Sequence, residues 1–135
     1  MIYAVIDTNV FVSSFITHNP DSPTKKVVQM VLEGWITPLY DEDILAEYDE
    51  VLKRRKFHLE PLEVDAIINF IRECGVHSSR MAYDAPMPDE SDRVFFEITL
   101  SVNDSFLVTG NLKHYPNKPH VVTPVEFLNI ITNIQ

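Results

Sequence analysis

A single cysteine, Cys74, is all the thiol the chain has, so no internal disulfide can staple the fold. No apolar run approaches the roughly 18 residues that a membrane span needs. The first residues lack the basic stretch of a signal peptide, and Asp7 interrupts their apolar run. Together these absences point to a reducing, cytoplasmic setting with no membrane partner. Only three of the 135 residues are glycine, and neither a repeat nor a low-complexity tract is visible, which excludes a disordered or solenoid chain. Basic residues are scarce too, with 11 Lys and Arg against 20 Asp and Glu, a net charge of −9. That sign excludes generic affinity for nucleic acid through bulk charge, so any contact with RNA or DNA must be local.

What is present fits one domain spanning residues 1–135, long enough to bury a core without metal or disulfide support. Ile2-Tyr3-Ala4-Val5-Ile6 is apolar and β-branched and stops on Asp7, which reads as a buried strand delivering a carboxylate to its C-terminal edge. In parallel α/β sheets ligands bind beyond that edge. The alternative is that Asp7 merely caps the next helix, although Asn9 would cap it equally well.

Further along, the pattern predicts a helix over Asn9 to Ile16. A second runs from Pro23, capped by Ser22, to Gly34, and a strand covers Trp35 to Tyr40. Asp41 should cap a helix closed by the basic run Lys53-Arg54-Arg55-Lys56. A helix from Pro61 to Cys74 stops at Gly75, and an extended segment from Val76 to Tyr83 follows. Asp89 should open a helix reaching about Val102. Strands are expected at Ser105 to Thr109 and His120 to Val122, and a capping box, Thr123-Pro124-Val125-Glu126, starts the last helix. Such alternation implies crossover connections and a three-layer α/β/α sandwich around a mainly parallel sheet.

Helical projection sorts the acids. Asp92 shares a stripe with Phe95, Phe96 and Thr99 and so faces inward, whereas Glu97 projects to the outer side. A carboxylate held against a core face is costly without a positive partner, and a metal ion is one candidate. Equally, Asp89 and Asp92 could be a cap and its reciprocal first-turn acid. In the helix after Asp41, Asp43 and Glu50 point outward while Glu47 and Asp49 lie on opposite borders of the apolar face. Geometry there prefers Glu47 only slightly. The strand from Phe106 ends on Thr109-Gly110-Asn111 and mirrors the first strand. Asp104, about 20 Å of extended chain before Asn111, belongs to the opposite edge. Removing Asp7, Glu47, Asp89 and Asp92 from the count still leaves a net charge of −5.

Ile2 to Val10, Glu47 in a helix followed by basic residues, Asp89-x-x-Asp92 ahead of Phe95, and Leu107-Val108-Thr109-Gly110-Asn111-Leu112-Lys113 together resemble a PIN domain. The likeness is to the bacterial and archaeal sort described as the toxin of a toxin–antitoxin pair, and it extends to the terminal helix. It implies a fold similar to the flap endonucleases and metal-dependent hydrolysis of phosphodiester bonds, usually in single-stranded RNA.

The resemblance makes Asp7, Glu47 and Asp92 the catalytic acids, with Asp89 and Asn111 as further metal ligands and Thr8, Asn9 and Thr109 in support. Asn111 stands where the family more often has Asp and brings no charge. Three or four acids without a paired His or Cys suit Mg²⁺ or Mn²⁺ better than zinc. Lys25, Lys26, Lys53, Arg54, Arg55, Arg93 and Lys113 are candidates for steering an RNA backbone. A cognate antitoxin is the protein partner the resemblance implies, and a homo-oligomer is compatible with it. The competing function is a catalytically weak PIN-like module that acts by binding a protein or RNA, favoured by Asn111 and the charge of −9. A phosphoacceptor signalling domain would need a strand-end lysine opposite its acid, and Lys113 lies instead in a predicted loop.

Overall fold

Ile2–Ile6 forms strand β1 and becomes fully buried over Ala4, Val5 and Ile6, as an uninterrupted apolar run does in a parallel sheet covered on both faces. In the computed structural model, which describes residues 1–134, β1 is the central strand. Helices α1 (Thr8–Ile16) and α2 (Pro23–Leu32) connect it to β2 (Ile36–Tyr40). Helices α3 (Glu42–Leu52) and α4 (Pro61–Cys74) lead to β3 (Val76–His77), and α5 (Arg93–Leu100) leads to β4 (Phe106–Val108). The chain ends with β5 (Val121–Val122) and α6 (Pro124–Ile134). All pairings are parallel, in the order β3-β2-β1-β4-β5.

The strand order steps outward from β1 to β3 and then jumps back across β1 to β4. With right-handed crossovers, that reversal puts helices on both faces, the expected α/β/α sandwich. It also makes the gap between β1 and β4 the switch point of the sheet, beyond whose carboxyl ends a crevice must open. Registers Ala4 to Phe106 and Ile6 to Val108 bring Asp7 and Thr109 to the same edge, and the Asp7 amide donates to the Val108 carbonyl at 2.9 Å.

Beneath that edge lies a buried aromatic cluster. Phe11 of α1 meets Tyr48 of α3 edge-on at 5.0 Å between centroids, and Tyr48 meets Phe95 of α5 at 6.2 Å. The Tyr48 hydroxyl donates to the carbonyl of Ile6, the last residue of β1. Three helices are thus tied to one strand end. Among the described residues no helix is long and apolar enough to cross a membrane.

Several expected boundaries shift. The basic run does not close α3: the helix stops at Leu52, and Arg55–Phe57 forms a separate 3-10 turn. Val76 to Tyr83 pairs as strand only at Val76–His77. The chain then leaves the sheet, and Arg80 and the Tyr83 amide attach to Glu97. Glu97 is therefore not on an outer, solvated side: segment 78–85 covers that side of α5, leaving Glu97 6 % exposed. The helix expected from Asp89 begins as a 3-10 turn over Glu90–Asp92 and becomes α-helical at Arg93. Ser22 precedes Pro23 as expected, but its hydroxyl bonds Thr24 rather than a helix amide. The Thr123 and Glu126 capping box forms reciprocally, at 2.8 and 3.2 Å.

Candidate metal centre

Asp7 occupies the N-cap position of α1 yet makes no side-chain cap bond, so the capping alternative does not describe it. Its Oδ2 instead accepts from Thr109 Oγ1 at 2.8 Å, Tyr115 Oη at 2.9 Å and Asn9 Nδ2 at 3.2 Å. Asn9 also accepts the Gly110 amide at 2.9 Å, lashing the end of β1 to the loop after β4. A Cβ at position 110 would stand 3.3 Å from Asn9 Oδ1, which is why the smallest residue suits that crossing. Asp7 is 4 % exposed, and burial raises its carboxyl above the usual range against the pull of its hydrogen bonds.

Glu47 arrives from α3. Because Tyr48, the next residue, is anchored to β1, the border position turns toward Thr8, whose hydroxyl donates to Glu47 Oε2. Burial raises its carboxyl as well, with the Asp7 charge adding to the effect. Asp49, on the other border, pairs instead with Lys53 at 2.7 Å.

Asp92 stands at the start of α5, 8 % exposed, with Phe95, Phe96 and Thr99 of its stripe all buried. It makes no side-chain cap bond. Burial, then the charges of Asp7 and Asp89, push its carboxyl up to about 6. Asp89 does cap, accepting from Ser91 N at 3.0 Å and Ser91 Oγ at 2.7 Å, and these bonds hold its carboxyl low. Its role as a cap and its place in the acid cluster coexist.

His114, which sequence reasoning passed over, completes the cluster. The 3-10 turn Leu112–His114 swings its Nδ1 to 3.0 Å from Asp92 Oδ2 and 3.9 Å from Asp89 Oδ2. One donor atom each from Asp89, Asp92 and His114 lies within 4.8 Å of the others. The cluster thus contains a histidine, contrary to the expectation of acids alone. The histidine lies in a stretch that reads only as loop, three residues past the polar strand end, and nothing in its spacing marked it. Asn111 meets the His114 ring, Nδ2 to Nε2 at 2.8 Å, rather than the acids.

Asp7, Thr8, Asn9, Asp89, Asp92 and His114 line one cleft of about 320 Å³, walled by Val12, Val51 and Phe57. Three larger cavities lie elsewhere among the described residues, and each of them has at most one acid in its lining. The cleft's donor set fits a hard divalent cation: Asp7 and Asp92, which burial disfavours as anions, open with Asp89 and His114 on one space.

Residues 3–113 match the family profile described as PIN domain. The chain belongs to the PIN-domain family. No curated protein and no solved structure matches it significantly. PIN domains are in general metal-dependent nucleases, and the acid cluster of this one sits at the sheet's switch point.

The basic candidates divide. Lys53 is held by Asp49 and Asp65, and Arg54 by Glu50. Arg93 is spent on structure, donating to the Tyr83 and Ala85 carbonyls and to Glu90. Lys25, Lys26, Arg55 and Lys113 make no ion pair among the described residues. Asp104 lies before β4, at the strand end away from the cleft, in a left-handed conformation.

Proposed function

We propose that this PIN domain is an endoribonuclease that hydrolyses phosphodiester bonds of single-stranded RNA with Mg²⁺ or Mn²⁺, acting as the toxin of a toxin–antitoxin pair. The observation that carries the reading is the meeting of Asp7, Glu47, Asp89 and Asp92, from three separate segments, at one cleft or its border. A bound divalent ion would lower the pKa of a water and offset charge developing on the phosphate. Asp7, Glu47, Asp89 and Asp92 are the acids that would hold it.

The remaining work falls to the chain's own groups. Thr109, Tyr115 and Asn9 fix Asp7 through Oδ2, and Tyr115, its hydroxyl pushed to higher pKa by burial and the Asp7 charge, stays a donor. Thr8 orients Glu47. At the cleft wall stands Phe57, with the Lys56 ammonium 5.1 Å from its ring centroid and Arg55 two residues away, an aromatic and cations that would meet a base and a phosphate. Because the protein is acidic overall, such local cations are what would let a polyanion approach.

The test is a panel of single-stranded and duplex RNA and DNA oligomers incubated with the wild type and Asp92→Asn, with Mg²⁺, Mn²⁺ or chelator. The expected result is cleavage of single-stranded RNA only with added metal, reduced about 100-fold or more by Asp92→Asn. Absence of cleavage on every oligomer, with folded protein and either metal, would leave the binding-module reading in its place.

A further inference from the structure

His114 faces two carboxylates with one ring nitrogen and an amide with the other, and this arrangement has chemical consequences. Ionised Asp92 can only accept, so an unligated His114 presents N–H at Nδ1, and Nε2 then takes the Nδ2–H of Asn111. A metal ion between Asp89 and Asp92 needs the opposite arrangement: a lone pair at Nδ1 and the proton at Nε2. Asn111 can serve both states, because turning its amide over replaces an N–H donor by a carbonyl acceptor at the same place. The Nδ1 separations of 3.0 and 3.9 Å from the two carboxylates are of the size expected between donors sharing one ion with bonds of about 2.1 Å.

We propose that His114 ligates the divalent ion through Nδ1, that Asn111 accepts the Nε2 proton of the ligating ring, and that this nitrogen makes the site prefer Mn²⁺ to Mg²⁺. The inference rests on the metal-dependent nuclease reading. Mg²⁺ takes oxygen donors almost to the exclusion of nitrogen, whereas an imidazole strengthens binding of first-row transition ions. With the remaining donors all carboxylate oxygens, Mn²⁺ is the member of that series the rest of the site suits. Asn111 supplies what ligating histidines commonly have, a partner on the second ring nitrogen that fixes tautomer and orientation. A carboxylate at position 111 would lock the proton on Nε2. The amide leaves the ring able to bond Asp92 when no metal is bound.

The experiment is a titration of wild type, His114→Ala and Asn111→Ala with Mn²⁺ and with Mg²⁺ by calorimetry, joined to electron spin-echo spectroscopy of bound Mn²⁺. Wild type is expected to bind Mn²⁺ at least about 10-fold more tightly than Mg²⁺ and to show coupling to a directly coordinated ¹⁴N nucleus. His114→Ala should abolish that coupling and cut Mn²⁺ affinity by about 10-fold or more, while Mg²⁺ affinity changes less. Asn111→Ala should keep the nitrogen coupling but weaken Mn²⁺ binding. His114 is half exposed on a short turn, and thermal unfolding of the metal-free variants confirms that each is folded. Bound Mn²⁺ without nitrogen coupling, or an unchanged Mn²⁺ to Mg²⁺ ratio in His114→Ala, overturns the inference while leaving the nuclease reading standing. A wild type that binds neither ion overturns both.

Discussion

Asp7 and Asp92 are buried acids that the fold holds in a form they disfavour, and this fixes what their replacement should do. Asp7→Asn keeps a carbonyl oxygen for Thr109 and Tyr115 while removing a charge that repels Glu47 and Asp92. Metal-free Asp7→Asn should therefore be as stable as the wild type or more so near neutral pH, as thermal unfolding will show. The sign of the pH dependence follows from linkage. The carboxyl of Asp92 is raised from 3.8 to about 6 in the folded protein, so between those values the folded state binds more protons than the unfolded one. This group's contribution to stability thus falls as pH rises through that window. The melting-temperature difference between metal-free Asp92→Asn and the wild type should move in favour of the variant from pH 4 to pH 7. A difference that is flat or moves the other way would show that Asp92 is not raised.

At the scale of elements, α3 tests the choice between two border acids. Glu47, next to the anchored Tyr48, is bonded by Thr8 of the cleft lining, while Asp49 is occupied by Lys53. Glu47→Gln should lower RNA cleavage by about 100-fold, and Asp49→Asn by less than about 3-fold, in parallel rate measurements. Equal losses would mean that the helix faces have been misread. A second element prediction concerns the end of α4. A Cβ at Gly75 would lie 2.5 Å from the Pro38 carbonyl oxygen and 2.6 Å from that of Ile71. Gly75→Ala should accordingly destabilise by about 1 to 3 kcal/mol in denaturant unfolding, because both neighbours are backbone and cannot step aside.

These elements also show where the sequence was legible. The run ending on Asp7, the Asp92 stripe and the Thr123 capping box were readable because each is a local pattern of burial or capping. Glu97 was misplaced because its cover, Arg80 and segment 78–85, is remote in sequence and without periodicity. His114 was invisible for a related reason: it reaches the acids through a 3-10 turn, which has too few residues to leave a hydrophobic signature.

For the molecule as a whole, a net charge of −9 and a cleft of acids leave few cations to hold RNA under the proposed function. Of the basic residues singled out from the sequence, Lys25, Lys26, Arg55 and Lys113 have no carboxylate partner among the described residues, whereas Lys53, Arg54 and Arg93 have one. Arg55→Ala should raise KM for single-stranded RNA with little change in kcat. It should also reduce the slope of log affinity against log salt by about 0.7, whereas Lys53→Ala should do neither. The proposed function depends above all on the acids acting as a metal-holding nuclease centre. The most direct measurement is the single-turnover cleavage rate of a single-stranded RNA oligomer at saturating Mn²⁺ for wild type and folded Asp7→Asn. The expected result is metal-dependent cleavage by the wild type and a loss of about 100-fold or more in Asp7→Asn at undiminished stability; cleavage by Asp7→Asn near the wild-type rate would contradict it.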